Sequence, residues 1–173
     1  VTKRDVLWLD SSDSHEDILD AYALEDTFSL LYPQFVRVEV SPLDGNIWNH
    51  NVNNWKVCVD QDNIPSWFCE EKYRDRIYTA LKTSWERTFL EGVEKRRLPA
   101  GTYRLRDCRI GSMFNSTIVE MTGCSVDNMY SCTVNDMRKS IVDRVSSCNI
   151  HSATDSVLSY IPVSYTHLTL PTN

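Results

Sequence analysis

The sequence lacks any apolar run near the roughly 18 residues that a membrane-spanning helix needs, so no membrane partner is expected. It lacks an excess of positive charge. Lys and Arg number 18 against 24 Asp and Glu, a formal net charge of −6. That balance favours solubility and argues against a general nucleic-acid binder. It lacks a visible signal peptide: the chain starts at Val1, and no apolar h-region follows a charged start. It has no C-x-x-C and no Cys/His cluster at zinc spacing, so neither metal nor cofactor is expected. A calcium-binding nonapeptide pattern and a Thr-x-Thr array are also missing. What is present is 42% hydrophobic residues, enough for a packed core, in a length that suits one or two small domains.

The first half reads as a small α/β module over residues 1–98. Ser14 to Asp17 carries an S-x-x-D capping signature. Ile18, Ala21, Tyr22, Leu24, Phe28 and Leu31 follow at helical spacing, which predicts a helix over about 15–31. Residues 35–40 and 55–60 alternate as half-buried strands and should pair. Tyr73, Ile77, Leu81, Trp85 and Phe89 recur every four residues, predicting a second helix over about 70–92. Residues 99–106 read as a linker or cap.

Three clusters in this half resemble sites. Asp10, Asp13, His15, Glu16 and Asp17 could ligate a metal, but acids also suit a turn and the first turn of a helix. Asp60 and Asp62 could pair for acid–base work, but Asp is also a turn residue. Lys95, Arg96, Arg97, Arg104 and Arg106 form a basic collar, the best anion-contact candidate. Its plainer reading is a solvated helix exit, where cations suit the C-terminal dipole.

From Asp107 the chain repeats. In eights it reads DCRIGSMF, NSTIVEMT, GCSVDNMY, SCTVNDMR, KSIVDRVS, SCNIHSAT and DSVLSYIP. Position 2 is always Cys or Ser, from Cys108 through Ser116, Cys124, Cys132, Ser140 and Cys148 to Ser156. Position 4 holds Ile110, Ile118, Val126, Val134, Val142, Ile150 and Leu158. Position 7 holds Met113, Met121, Met129, Met137, Val145, Ala153 and Ile161. Eight drifts off the coiled-coil period, and β-branched residues favour strand. Positions 2 and 4 share a strand face, while position 7 needs a bend or bulge before it. Stacked octads would bury these three columns, which predicts an all-β solenoid over 107–162. Three octads per coil stack Cys108 on Cys132, Ser116 on Ser140 and Cys124 on Cys148, so like falls on like in three of the four comparable pairs, against three of five for two octads per coil. A coil of 24 residues with three sides is therefore favoured over two octads per coil. The cysteines then serve as small inward hydrophobes.

These octads resemble the β-solenoid repeats of uncharacterised bacteriophage and gut-type bacterial proteins, and loosely those of pentapeptide-repeat proteins. In the former, a segment like VDQDNIPSWF and a helix ending near a Trp often precede the repeats. Val59 to Phe68, Ala80 and Trp85 match that layout. The resemblance spans about 36–161 and implies no established activity and no catalytic residues. A period of eight rather than five means that the DNA-mimic role of some pentapeptide proteins does not carry over. It implies a phage or prophage setting, with a cytoplasmic or virion-associated location.

Val163 to Asn173, VSYTHLTLPTN, resembles the translation of a transposase mosaic-end adapter used in sequencing libraries. It is read as an artefactual tail on a chain truncated near Ile161, from an environmental assembly.

The function expected is a non-catalytic structural or binding module. Under three octads per coil, Asp127 faces His151 and Asp136 lies beneath Tyr160, so no acid pair forms for a carbohydrate-cleaving β-helix. That enzyme remains the alternative, with its site beyond the truncation; polyanion contact through the collar is another. Self-association through an open solenoid end is expected.

Overall fold

The computed structural model describes residues 1–9, 15–24 and 34–160, together with a two-residue strand at 167–168. The chain forms two compact units, residues 1–85 and 86–173.

In the first unit, helix α1 (His15–Ala21) is followed by a turn in which Ala23 has a φ of 50°. The rest of the helix expected to residue 31 lies outside the described residues, as do Asp10 and Asp13 and the side chains of His15, Glu16 and Asp17. Strands β1 (Val38–Pro42) and β2 (Trp55–Val59) pair antiparallel, Val38 opposite Val59. Helix α2 (Glu70–Thr88) buries Tyr73, Ile77, Leu81 and Trp85 along one stripe. The Tyr78 hydroxyl donates to the Trp55 carbonyl at 2.9 Å, tying the helix to β2. Asp60 and Asp62 are exposed just past β2.

Helix α2 stops earlier than its spacing suggested. Phe89 continues the four-residue rhythm, yet Phe89–Glu91 is strand β3. Ladder bonding to the next coil outweighs local helical periodicity. Gly92, with a φ of 63°, then turns the chain into β4 (Glu94–Leu98).

The second unit is a β-solenoid of about four turns. It continues through β5 (Thr102–Arg106), β6 (Arg109–Phe114), β7 (Thr117–Thr122), β8 (Ser125–Tyr130), β9 (Thr133–Arg138) and β10 (Ile141–Ser146). The shorter β11 (Asn149–Ile150), β12 (Ala153–Thr154), β13 (Val157–Tyr160) and β14 (His167–Leu168) follow. From β3 to β11, successive strands alternate between two parallel sheets. One runs β13-β10-β8-β6-β4; the other runs β14-β11-β9-β7-β5-β3, with β12 beside β9. The solenoid thus begins at β3, and the segment expected as a linker holds β5.

The pairing register settles the coil. Arg109 lies opposite Ser125 and Thr117 opposite Thr133, an offset of sixteen residues. This corrects the three-sided coil of 24 residues. The Cys/Ser pattern does not decide the period, since an offset of sixteen also sets Cys124 against Cys108 and Cys148 against Cys132, and the Val, Ile, Met, Cys and Ser side chains form one core between the two sheets. Two sheets back to back close directly on them. Cys108, Ile110, Met113, Ile118, Met121, Cys124, Val126, Met129, Cys132, Val134, Met137, Val142, Val145, Cys148 and Ile150 are all buried in this one core. Positions 4 and 7 both point inward because the chain bends between them. Ile110 pairs with Val126 and then Ser112 with Asn128, leaving Gly111 and Asp127 out of the ladder.

The corners have a common geometry. Asp107, Asn115, Gly123, Ser131, Lys139, Ser147 and Asp155 all have φ between 47° and 67°. They recur at intervals of eight residues. Gly, Asn and Asp tolerate this left-handed conformation best, and they fill four of these seven corners.

Position 2 completes the corner. Every side chain there donates to the carbonyl two residues earlier: Ser140 Oγ to Arg138 at 2.8 Å, Cys124 Sγ to Thr122 at 3.3 Å. Several also accept the position-2 N–H of the preceding coil. Cys124 N–H donates to Ser140 Oγ at 3.0 Å, and Cys108 N–H to Cys124 Sγ at 3.4 Å. Cys and Ser interchange because each is small and can both donate and accept. They are corner hydrogen-bonders, beyond the small hydrophobes the sequence suggested.

Burial also governs the thiols. It pushes Cys124 up to about 12; the hydrogen bond between Cys132 and Cys148 raises Cys132 and lowers Cys148 to about 7, yet Cys148 is buried and out of a reagent's reach. Cys69 is exposed and Cys58 half-buried. Since the thiolate is the reactive form, a disulfide-exchange reagent at pH 8 should titrate Cys69 fast and Cys58 slowly. The four solenoid thiols should appear only in denaturant. More than two fast thiols in the native protein would contradict this packing.

Candidate functional site

Six outward side chains cluster on the outer face of the β4-β6-β8-β10-β13 sheet. Asp127, Asn128, Tyr130, Asp143, Arg144 and Tyr160 line a groove of about 810 Å³. Their positions follow from the sixteen-residue offset. Asn128, Arg144 and Tyr160 are direct ladder partners on β8, β10 and β13. Asp127 and Asp143 fall on the intervening bends of β8 and β10, both exposed. The expectation that no acids stack is therefore overturned. It assumed a coil of 24 residues, whereas sixteen brings Asp143 beside Asp127. Likewise Asp136 pairs with Glu120 on the other sheet rather than lying beneath Tyr160, and its carboxylate holds Arg138 at 2.7 Å.

One side of the groove is aromatic. The Phe114 and Tyr130 rings stack at 5.2 Å with only 9° between planes, and the Arg97 guanidinium caps Phe114 at 5.1 Å. The next ladder partner after Tyr130 is Ser146, so the aromatic column ends there. Asn128 is oriented from two directions. Its Nδ2 donates to the Gly111 carbonyl at 3.2 Å, and its Oδ1 accepts from the Tyr130 hydroxyl at 3.4 Å. The amide and the phenol are thus held in fixed poses.

The basic collar does not assemble. Lys95, Arg96 and Arg97 lie exposed on β4, while Arg104 and Arg106 lie on β5 in the other sheet. Arg97 is engaged with Phe114, Arg104 sits over Phe89 at 5.1 Å, and Arg106 meets Glu91 at 3.4 Å. Five cations shared between two sheets and several partners do not make one anion site. No group of three or more His, Cys, Asp or Glu among the described residues is placed to hold a metal ion.

The groove was missed because its members are sixteen apart. The signal was available: Phe114/Tyr130, Asp127/Asp143 and Asn128/Arg144 share that spacing. Comparison with protein families, curated proteins and solved structures finds no match for this chain.

Proposed function

We propose that this chain is a non-catalytic binding module. Octapeptide repeats, two per coil, build a rigid solenoid after a small α/β domain, and the solenoid presents a fixed outer surface. The observation that carries this reading is the groove itself. Its six side chains stand on three parallel, in-register strands whose inward neighbours are packed in one core. A surface set on such a ladder is pre-organised, which lowers the ordering cost of binding. The resemblance to phage and gut-bacterial octad proteins supports a phage or prophage setting, and residues 163–173 remain best read as adapter-derived.

Hydrogen exchange tests the rigidity. The amides of β6 to β10 should exchange slowly and as one block, far behind the loop at 43–51. Rapid exchange in β8 and β10 would remove the basis for a fixed surface.

A second reading, a fragment of a carbohydrate-cleaving β-helix, is favoured by the stacked Asp127 and Asp143. It requires new reducing ends from a polysaccharide, abolished by Asp127→Asn or Asp143→Asn. Binding without release supports the non-catalytic module.

A further inference from the structure

We propose that the groove over β8, β10 and β13 binds a neutral oligosaccharide, with one pyranose stacked on the open face of Tyr130. The inference rests on the binding-module reading and specifies its ligand.

The aromatic column explains where a sugar would sit. Phe114 covers one face of Tyr130 in a near-parallel stack. Towards the following coil the ladder partner is Ser146, too small to cover a phenol ring. Tyr130 is only half-buried. An aromatic ring offers a flat apolar face with negative π density. The axial C–H face of a pyranose is its complement. Among the described residues, the Tyr130 ring is thus backed by Phe114 on one side and meets only Ser146 on the ladder on the other.

The polar lining suits hydroxyl groups. Asp127 and Asp143 are acceptors, Arg144 a donor in a planar fork, and Asn128 both. Vicinal hydroxyls of a sugar match such two-pronged groups. The remaining aromatic, Tyr160, is 61% exposed at the far rung. A pyranose stacked on that face of Tyr130 lies across the solenoid axis, so the glycan runs along the strand direction, over Arg144 and Asp143 of β10. A groove of about 810 Å³ accommodates such a short oligosaccharide.

Charge selects against the other polymeric ligands. Two carboxylates against one guanidinium leave the groove net negative, which repels nucleic acids and polyuronates. A neutral glycan avoids that repulsion and uses both the ring face of Tyr130 and the mixed donors and acceptors of Asp127, Asn128, Asp143 and Arg144.

The test uses the full chain with cellotetraose, chitotetraose and maltotetraose, read by titration calorimetry, with polygalacturonate as the acidic comparison. At least one neutral tetrasaccharide should bind, and polygalacturonate should not. Tyr130→Ala should weaken binding by about tenfold or more. Ser146→Phe should extend the aromatic stack over Tyr130 and abolish binding while thermal melting stays the same or rises. Because this variant fills rather than removes, loss of fold cannot mimic the result. Glu120→Gln, on the other sheet, should leave binding unchanged. Absence of binding to all three, preference for polygalacturonate, or binding that survives Ser146→Phe would overturn the proposal. Slow exchange in β6 to β10 alongside such a failure would leave the module reading standing without this ligand.

Discussion

Val126→Asp is expected to unfold the solenoid unit, while Asp127→Val, one residue along, leaves it folded. Val126 has no solvent exposure and lies in register between Ile110 and Val142. A carboxylate there would meet only apolar neighbours and inward backbone. An unpaired buried charge costs several kcal/mol after it has neutralised or drawn in water. That is comparable with the roughly 5–15 kcal/mol that holds an ordinary domain together. Asp127 sits outside the ladder on the bend and is exposed, so its replacement should stay within about 0.5 kcal/mol. Far-UV circular dichroism and urea titration of both variants read the difference. A cooperative transition for Val126→Asp near that of the parent would mean that position 4 is not inward.

This contrast shows what the sequence makes legible. The three repeated columns are visible because their residues are chemically uniform: β-branched at position 4, Met or aliphatic at 7, Cys or Ser at 2. Uniform burial imposes uniform chemistry, so the solenoid and its inward residues can be read from spacing alone. The number of octads per coil is not fixed by those columns, because any stacking of like octads keeps them aligned. It is written instead in the outward pairs that differ from octad to octad, such as Phe114 with Tyr130. The start of the solenoid is hidden for another reason. In β5 the inward residues Tyr103 and Leu105 are two apart, yet they pair with Ile118 and Met121, which are three apart. The ladder shifts between Tyr103 and Arg104 to absorb the missing residue. That single deletion breaks the period of eight upstream of Asp107, and the segment reads as a linker. The groove was invisible for the reason the coil was: its side chains are brought together by the sixteen-residue offset, and no local motif announces them.

Ser140→Ala is expected to destabilise the solenoid by about 1–3 kcal/mol, and Ser140→Cys by under about 1 kcal/mol. Ser140 has no solvent exposure. Its hydroxyl donates to the Arg138 carbonyl at 2.8 Å and accepts from Cys124 N–H at 3.0 Å. Alanine keeps the backbone and the small volume but leaves a buried N–H without its acceptor. The cost of an unmade bond exceeds the modest net value of a made one. Cysteine restores both roles at longer range, as Cys124 already does for Cys108 N–H at 3.4 Å and Thr122 carbonyl at 3.3 Å. For a unit of this size each kcal/mol shifts the melting temperature by about 4–8 °C, so the alanine and cysteine variants should separate clearly in a thermal scan. Ser140→Val serves as the volume control: it fills space without donating or accepting, and should fall with alanine or below it. Two outcomes are informative. If alanine and cysteine melt together near the parent, position 2 is selected for size alone. If only cysteine holds, the Cys/Ser column is a hydrogen-bond ladder that closes each left-handed corner, and the four solenoid thiols are explained without a metal, a disulfide or redox chemistry.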